Sequence, residues 1–362
     1  MSEFRRRMMM VGGSGSIGYY TIDQTGTYSD PAQMVRDRDV SGIQAIRSAS
    51  HLYVGELVNG VLQCKQVSDT DKTVYVDGTS VVYTDNNDLF MKLPRFWWKC
   101  ENIDNNADIV KISFSLKDKS SQDWHEWAGN IFIGAYLAHL ANSKIYSRSG
   151  VRVATKTSYN TFKSAANNRG YGYRLMTYEA VQILALLAFG YYATVDTKNT
   201  IFNGPQQGTT GICDTLGMTD TNSVTGYDLQ CNNFWGLEQN FTTYELCDNL
   251  ISVSNGIAKV VDINGNEIRR ITGIAQNSTD RRITKITLGD YADITPKALS
   301  ATPSVFEYYC TKGTMYPYKS NETVARIRTL NSIGILLGGG NGNSTWGTTA
   351  TRLVYEGNYN II

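Results

Sequence analysis

Charge of either sign is scarce in this sequence. Only 19% of the 362 residues are charged, and 34 Lys and Arg nearly balance 33 Asp and Glu, which leaves a formal net charge of +1. This balance excludes the strongly basic composition that is typical of nucleic-acid-binding domains. We therefore expect no nucleic-acid partner.

Long hydrophobic runs are also missing. The most apolar stretch, residues 183–193, is interrupted by Gly190, whereas a bilayer-spanning helix needs about 20 apolar residues. The first residues carry no hydrophobic region followed by a small-residue cleavage site, so we expect no signal peptide and no membrane insertion. Synthesis in a cytosol is the expectation that follows.

Cysteine and histidine are few and dispersed. The six cysteines form no Cys-x-x-Cys pair, and we expect them to be buried thiols. His51, His125 and His139 lie far apart in the sequence, and neither a Gly-x-Ser-x-Gly nor a His-Glu-x-x-His motif occurs. The residues therefore favour neither an enzyme nor a bound metal or cofactor, and we expect His139 to be a core residue of a helix-like apolar run over residues 131–140.

Aromatic residues and glycine, by contrast, are plentiful. The chain has 23 Tyr, 11 Phe, 6 Trp and 33 Gly but only 6 Pro. The excess of Tyr over Phe indicates many rings with one solvated end, as on lectin-like surfaces and at oligomer contacts. The phrase Trp-His-Glu-Trp at residues 124–127 either lines a pocket or packs in the core.

Turn signals and two helical segments predict a mixed α+β protein. Ser158 is expected to cap a helix that ends near Asn168, and Thr177 to cap a second one that ends near Tyr192. The second is apolar nearly all round, which predicts a buried central helix. Hairpin turns flanked by β-forming residues are predicted at Asn59-Gly60, Asp77-Gly78, Asn255-Gly256 and Asn264-Gly265.

Two glycine-rich stretches need separate interpretation. Residues 13–18 match Gly-x-Gly-x-x-Gly, but β-branched residues and another glycine follow instead of a helix, so a flexible joint is favoured over a nucleotide site. Residues 338–347 combine Gly, Asn and Trp without a Gly-Lys-Ser/Thr motif. They fit either a hairpin loop or an adaptable ligand-contact surface.

Several sequence phrases occur in a recognisable order. They include Leu-Pro-Arg-Phe-Trp-Trp-Lys at 93–99, Tyr-Ser-Arg-Ser-Gly at 146–150, Asn-Arg-Gly-Tyr-Gly at 168–172 and Asn-Phe-Trp-Gly-Leu-Glu at 233–238. This order resembles phage and prophage surface proteins of gut bacteria, relatives of the major tropism determinant type of receptor-binding protein. The resemblance covers residues 25–356.

The resemblance implies a C-type-lectin-like fold of class α+β, in which two helices pack on short twisted antiparallel strands with long loops. The implied organisation is a basic N-terminal arm with a Gly-rich joint over residues 1–20, a small β-rich attachment region over 21–88 and the lectin-like domain over 89–362. Arg5, Arg6 and Arg7 would attach the arm to the virion or the oligomer, unless the arm is a disordered tail.

The implied function is that of a virion fibre or adhesin protein, most often a homotrimer in this family, that binds a host-cell receptor, glycan or protein. In the family the C-terminal segment contacts the receptor, and in some members a retroelement diversifies it. Here that segment is about residues 316–349. The residues expected to face the receptor are Tyr316, Tyr318, Arg328, Asn331, Asn341, Asn343 and Trp346.

Two alternatives remain open. The protein could be a purely structural virion component, such as a head fibre, collar or decoration protein. It could also be an enzyme of the sulfatase-modifying type, which shares the fold, but the cysteine pair and the Arg-Gly-Gly-Ser-Trp ending of those enzymes are missing. The Glu-Pro-Asn and Trp-Asn-Asp triplets of calcium-dependent lectins are absent too, so calcium-dependent sugar binding is not implied.

Overall fold

The computed structural model describes residues 18–23, 34–36, 41–103, 106–192, 208–220, 233–238, 244–253, 257–262, 264–272, 281–288, 294–303, 314–315, 324–328, 335–340 and 349–362. Within these ranges the chain is a mixed α+β protein with mostly antiparallel sheets and three α-helices. The predicted α+β class is therefore confirmed.

The helices are α1 (Ser41–Ser48), α2 (Tyr159–Asn167) and α3 (Tyr178–Tyr192), and a single 3₁₀ turn covers Asp214–Leu216. Both helices predicted from the sequence are present. The Ser158 hydroxyl caps α2 by accepting the Thr161 N–H at 3.1 Å, and the Thr177 hydroxyl accepts the Ala180 N–H at 3.2 Å at the start of α3.

The strands of the described residues, numbered in chain order, are β1 (Gly18–Asp23), β2 (Met34–Arg36), β3 (His51–Val58), β4 (Val61–Ser68), β5 (Asp71–Tyr75), β6 (Asn87–Lys92), β7 (Phe96–Ile103), β8 (Asn106–Ser115), β9 (His125–Trp127), β10 (Ile131–Leu137), β11 (His139–Ala141), β12 (Lys144–Tyr146), β13 (Tyr173–Leu175), β14 (Asn233–Phe234), β15 (Leu237–Glu238), β16 (Tyr244–Leu246), β17 (Leu250–Val253), β18 (Ile257–Val261), β19 (Glu267–Ile271), β20 (Arg281–Leu288), β21 (Ile294–Pro303), β22 (Thr314–Met315), β23 (Val324–Arg328), β24 (Ile335–Gly340), β25 (Thr349–Ala350), β26 (Arg352–Glu356) and β27 (Tyr359–Ile361).

Two sheets organise the core. One has the order β2-β1-β8-β7-β9, and the other has the order β13-β26-β10-β6-β3-β4-β27 with β5 added to β4. The second sheet joins strands from both sides of the predicted boundary at residues 88 and 89, which falls inside β6. Its closing strand β26 comes from the last residues of the chain and lies between β10 and β13.

The larger sheet is buried on both faces. Leu52 and Val54 of β3 belong to one apolar cluster, which also contains the buried side chains of α3. Tyr53, between them, belongs to a second cluster with Phe90 and with Phe162 of α2. Because strand side chains alternate between faces, one strand serves both clusters.

The run over residues 131–140 is a pair of strands rather than a helix. Its residues form β10 and the start of β11, and the His139 ring nitrogen Nδ1 lies 2.8 Å from the Arg152 carbonyl oxygen. The helical prediction is wrong because a strand buried on both faces is a continuous apolar run. His139 is half-buried, not a core residue.

The predicted hairpin turns can be compared one by one. Asn59-Gly60 joins β3 to β4 with positive φ angles of 50° and 80°. Gly78 and Gly265 also adopt positive φ, in the turns after β5 and between β18 and β19. The turn at Asn255-Gly256 lies outside the described residues, as do residues 13–17 and 341–347 of the two Gly-rich stretches. Gly18 begins β1, and residues 338–340 end β24.

We expect Gly134→Ala to destabilise the larger sheet. A Cβ at this β10 position would lie 2.7 Å from the Leu353 carbonyl oxygen and 3.0 Å from the Ser147 hydroxyl. Overpacking of this kind costs about 1–3 kcal/mol of unfolding free energy, measurable by chemical denaturation. Gly208→Ala is the matched control, because nothing lies within 4 Å of its added Cβ. Equal stability of both variants would contradict the close approach.

Candidate functional site

The segment that carries the predicted receptor residues begins and ends at one point of the core. It leaves after β15 and returns at β26. Arg352, fully buried, donates from Nη2 to the Glu238 carbonyl oxygen at 2.6 Å, and from Nη1 to the carbonyl oxygens of Gly134 and Ala135 at 3.2 Å. One guanidinium therefore ties the two ends of residues 239–351 to the central strand β10.

Part of the same segment forms a small four-stranded sheet next to the Arg352 hydrogen bonds. The strand order is β24-β23-β16-β25, in which β16 leaves the core and β25 returns to it. These two strands pair in parallel, with Tyr244 opposite Thr349 and Glu245 opposite Ala350. Two of the four strands, β23 and β24, come from the segment predicted to contact a receptor, residues 316–349, and β25 begins at its last residue.

Only one of the seven predicted receptor residues lies in a described part of the chain. Arg328 ends β23, where its backbone pairs with Tyr244 of β16 and Ile335 of β24. The structure thus places Arg328 on a central strand of this small sheet. The others lie outside the described residues, as do Arg5, Arg6 and Arg7 of the arm: Tyr316, Tyr318, Asn331, Asn341, Asn343 and Trp346.

The Phe-Trp-Gly-Leu phrase forms the β14–β15 hairpin, which immediately precedes residues 239–351. Trp235 and Gly236 occupy the two turn positions with φ of 51° and 87°, as a two-residue hairpin requires. The Trp235 ring is fully buried, 5.1 Å from the Phe234 centroid and 5.5 Å from that of Tyr191. A bulky side chain at positive φ is uncommon, so burial of the indole holds the turn in place.

A buried polar cluster lies beneath the hairpin. Lys72 of β5 donates from Nζ to the Asn233 side-chain oxygen at 2.9 Å, and its Nζ lies 5.3 Å from the Tyr136 ring centroid. Burial lowers the pKa of the Lys72 amine to about 8, partly offset by the carboxylates of Glu238 and Asp214. Burial also raises the pKa of Glu238. Nothing in the local sequence pattern of this strand–turn region indicated the cluster.

Asp214 and Glu238 are held by hydrogen bonds from different parts of the chain. The Tyr136 and Ser149 hydroxyls both donate to the Asp214 carboxylate. The Glu238 carboxylate accepts the N–H of Gly211 at 3.0 Å and that of Cys213 at 3.0 Å. These bonds fix the 3₁₀ turn and its flanks against β15.

Of the four described cysteines, three are thiols, as predicted, and one is not. Cys64, Cys100 and Cys247 are thiols, and burial raises the pKa of Cys64 to about 12. Cys213 is disulfide-bonded, so the expectation is wrong there. Spacing in sequence does not show which cysteines meet in a fold.

A separate pocket of about 280 Å³ lies beside α3. Three residues of the Trp-His-Glu-Trp phrase line it, namely His125, Glu126 and Trp127. The other lining residues are Trp98, Glu179, Gln182, Ile183, Ile268 and Arg269. The pocket interpretation of this phrase is therefore supported for all but its first residue, while Trp127 is also part of the core.

The chemistry of this pocket suits a small polar ligand. The Trp98 and His125 rings lie 4.6 Å apart at 33°, which gives an aromatic wall. Glu126 is paired with Arg95 at 2.6 Å, and Glu179 accepts from the Asn249 side chain at 2.6 Å. Aromatic faces beside polar side chains can hold a small ligand.

Within the part of the chain that the structure describes, no group of three or more His, Cys, Asp and Glu side chains is placed to hold a metal ion. None of the described helices is long and apolar enough to cross a membrane. The sequence matches no protein-family model and no curated protein.

Proposed function

We propose that the protein is a virion fibre or adhesin protein that binds a host-cell surface receptor through the segment of residues 239–351. The observation that carries the proposal is the clamp at the base of this segment. Arg352 bonds the Glu238 carbonyl oxygen across the exit and return points, and β16 pairs with β25 directly beyond them. Within the segment, residues 247–271 contribute buried side chains to the main core, and the proposed contact residues lie in the sequence between this packed part and the return strand β25.

This arrangement matches what recognition surfaces need. Binding residues are commonly carried on connecting segments that a rigid scaffold positions. The proposed contact residues, the tyrosines, asparagines and Trp346 of residues 316–346, combine rigid aromatic anchors with adaptable hydrogen-bonding groups. The C-type-lectin-like fold, inferred from the sequence phrases, is part of the same proposal.

A homotrimer would strengthen weak single sites. Linked copies convert later binding events into intramolecular ones, which raises avidity without new contacts. In this proposal the arm with Arg5, Arg6 and Arg7 connects the protein to the virion. The protein would be made in the host cytoplasm and be located on the particle.

A structural virion role is the second candidate, and one surface favours it. Strand β27 lies at the end of the larger sheet; its last residue Ile361 is 52% exposed, and Ile362, which follows it, is 75% exposed. Val76, whose N–H bonds to the carbonyl oxygen of Gln66 of the adjacent β4, is 61% exposed. Contact with a neighbouring virion protein or a second copy would bury these side chains.

Cell binding separates the two candidates. We expect the purified oligomer to bind intact host cells, and Tyr318→Ala/Asn341→Ala/Trp346→Ala to reduce binding at least about tenfold, the equivalent of 1.4 kcal/mol. Cell-associated protein is quantified by fluorescence over a concentration series. Tyr171→Ala is the control, since Tyr171 is 79% exposed on the core, and it should bind as wild type does.

Two results would overturn the receptor assignment. One is binding by the triple variant equal to that of wild type. The other is the absence of binding to every candidate host together with co-assembly with capsid or tail proteins, which would leave the structural role. Circular dichroism and the oligomer size of each variant show whether its fold is intact.

A further inference from the structure

The buried polar cluster brings an amine and a carboxamide into contact. Lys72 and Asn233 are 161 positions apart in sequence, yet the Lys72 Nζ lies 2.9 Å from the Asn233 Oδ1. Their exposed fractions are 1% and 0%. The Asn233 Nδ2 donates to the carbonyl oxygens of Gly217 and Thr219 at 3.0 and 2.7 Å, so the carboxamide is held in one orientation toward the amine.

A carboxyl group stands next to this pair. Glu238 lies directly opposite Asn233 in the β14–β15 hairpin and is 1% exposed. Directly opposed residues of an antiparallel pair have Cβ atoms about 4.5–5.5 Å apart. A second carboxylate, that of Asp214, acts on Lys72 electrostatically. The amine, the amide and a proton-exchanging group are thus present at one site.

Burial favours the protonation states that an amine needs in order to displace ammonia from a carboxamide. A nucleophilic amine must be uncharged, and burial lowers the pKa of Lys72 to about 8, so a sizeable fraction is neutral near that pH. A general acid must hold a proton, and burial raises the pKa of the Glu238 carboxyl. The pKa shifts of Lys72 and Glu238 therefore favour the reaction for which the geometry already positions the two groups.

We propose that Lys72 and Asn233 form an intramolecular amide cross-link, with Glu238 as the proton-transfer group. The Lys72 nitrogen attacks the Asn233 side-chain carbonyl carbon, a new N–C bond forms, and the bond from that carbon to Nδ2 breaks. The proton lost by Nζ passes through the Glu238 carboxyl to Nδ2, which leaves as ammonia. No oxidant, reductant or cofactor takes part.

The cross-link would make the folded protein more resistant to unfolding by force and by heat. It closes the chain between β5 and the hairpin that precedes the displayed segment, and constraining so large a loop of the unfolded chain stabilises the folded state. The Tyr136 ring, 5.3 Å from the Lys72 Nζ, is fully buried, and Lys72 and Asn233 are themselves buried, so water has little access to the reacting atoms. This inference is independent of the receptor proposal.

Intact mass spectrometry of the denatured, reduced full-length protein tests the cross-link directly. We expect a mass below that calculated from the sequence by one molecule of ammonia, and a branched peptide after proteolysis that joins the Lys72 and Asn233 regions. Lys72→Met should show its full calculated mass. A wild-type chain with full mass and separate linear peptides would overturn the proposal, and this result needs no variant to fold.

Two further variants test the chemistry. Asn233→Asp should lose one molecule of water instead of ammonia, because the leaving group has changed while the amide formed is the same. Glu238→Gln should keep its full mass while still unfolding cooperatively. If it cross-links as completely as wild type, the role given to Glu238 is wrong; if Asn233→Asp loses neither water nor ammonia, the assigned leaving group is unsupported.

Discussion

Arg352→Met should lower the free energy of unfolding by about 3–5 kcal/mol, because it leaves buried polar groups without their cationic partner. Arg352 is fully buried and supplies hydrogen bonds to three carbonyl oxygens, those of Gly134, Ala135 and Glu238. Methionine fills much of the volume but donates no hydrogen bond. Denaturant-induced unfolding, followed by fluorescence and circular dichroism, measures the change.

Arg95→Met is the matched control for this loss. The same substitution there removes a pair with Glu126 at 2.6 Å, but the two side chains are 55% and 39% exposed. Exposed ion pairs contribute at most about 1 kcal/mol, so the control should stay within that range. A comparable effect of the two substitutions would contradict the clamp at Arg352. Because Arg352 joins the two ends of residues 239–351, Arg352→Met should also weaken cell binding.

Trp235→Ala should cost about 3–5 kcal/mol of unfolding free energy, the range for loss of a large buried aromatic side chain. The indole is fully buried between Phe234 and Tyr191, and the Arg47 guanidinium lies 5.7 Å from its ring centroid. Alanine would leave a cavity and would keep an unfavourable positive φ of 51° without the packing that offsets it.

The control for Trp235 is a large aromatic residue on the surface. Tyr171 is 79% exposed, so Tyr171→Ala should change stability by no more than about 0.5 kcal/mol. Equilibrium denaturation of both variants provides the comparison. A loss at Trp235 below about 1 kcal/mol would mean that the hairpin relaxes around the cavity, and that the indole does not hold the turn.

The helices and most hairpins could be predicted because their signals are local. Ser158 and Thr177 act as caps within one turn of their own helices, and Asn59-Gly60 supplies the positive φ angles of its own turn. The sequence of residues 131–140 predicts a helix instead of the observed strands, because burial on both faces removes the alternation that identifies a strand. A local sequence pattern therefore does not distinguish a strand from a helix when the segment is buried on all sides.

The candidate sites required the tertiary structure. The pairing of Lys72 with Asn233 and the approach of Arg352 to Glu238 join positions that are 161 and 114 residues apart. No spacing rule relates such positions in one sequence, because strand order in a sheet is set by which apolar faces pack best over the whole chain.

By itself the sequence determined composition, element type and local turns. It indicated an α+β chain with balanced charge, a capped central helix that is apolar nearly all round, and glycines at turn positions. Only the tertiary structure decided that β26, from the last residues, lies between β13 and β10 in the larger sheet, and that Arg352 joins the two ends of residues 239–351. The reason is physical. Backbone propensities and capping act over a few residues, whereas burial and charge pairing depend on which distant residues share a low-dielectric interior.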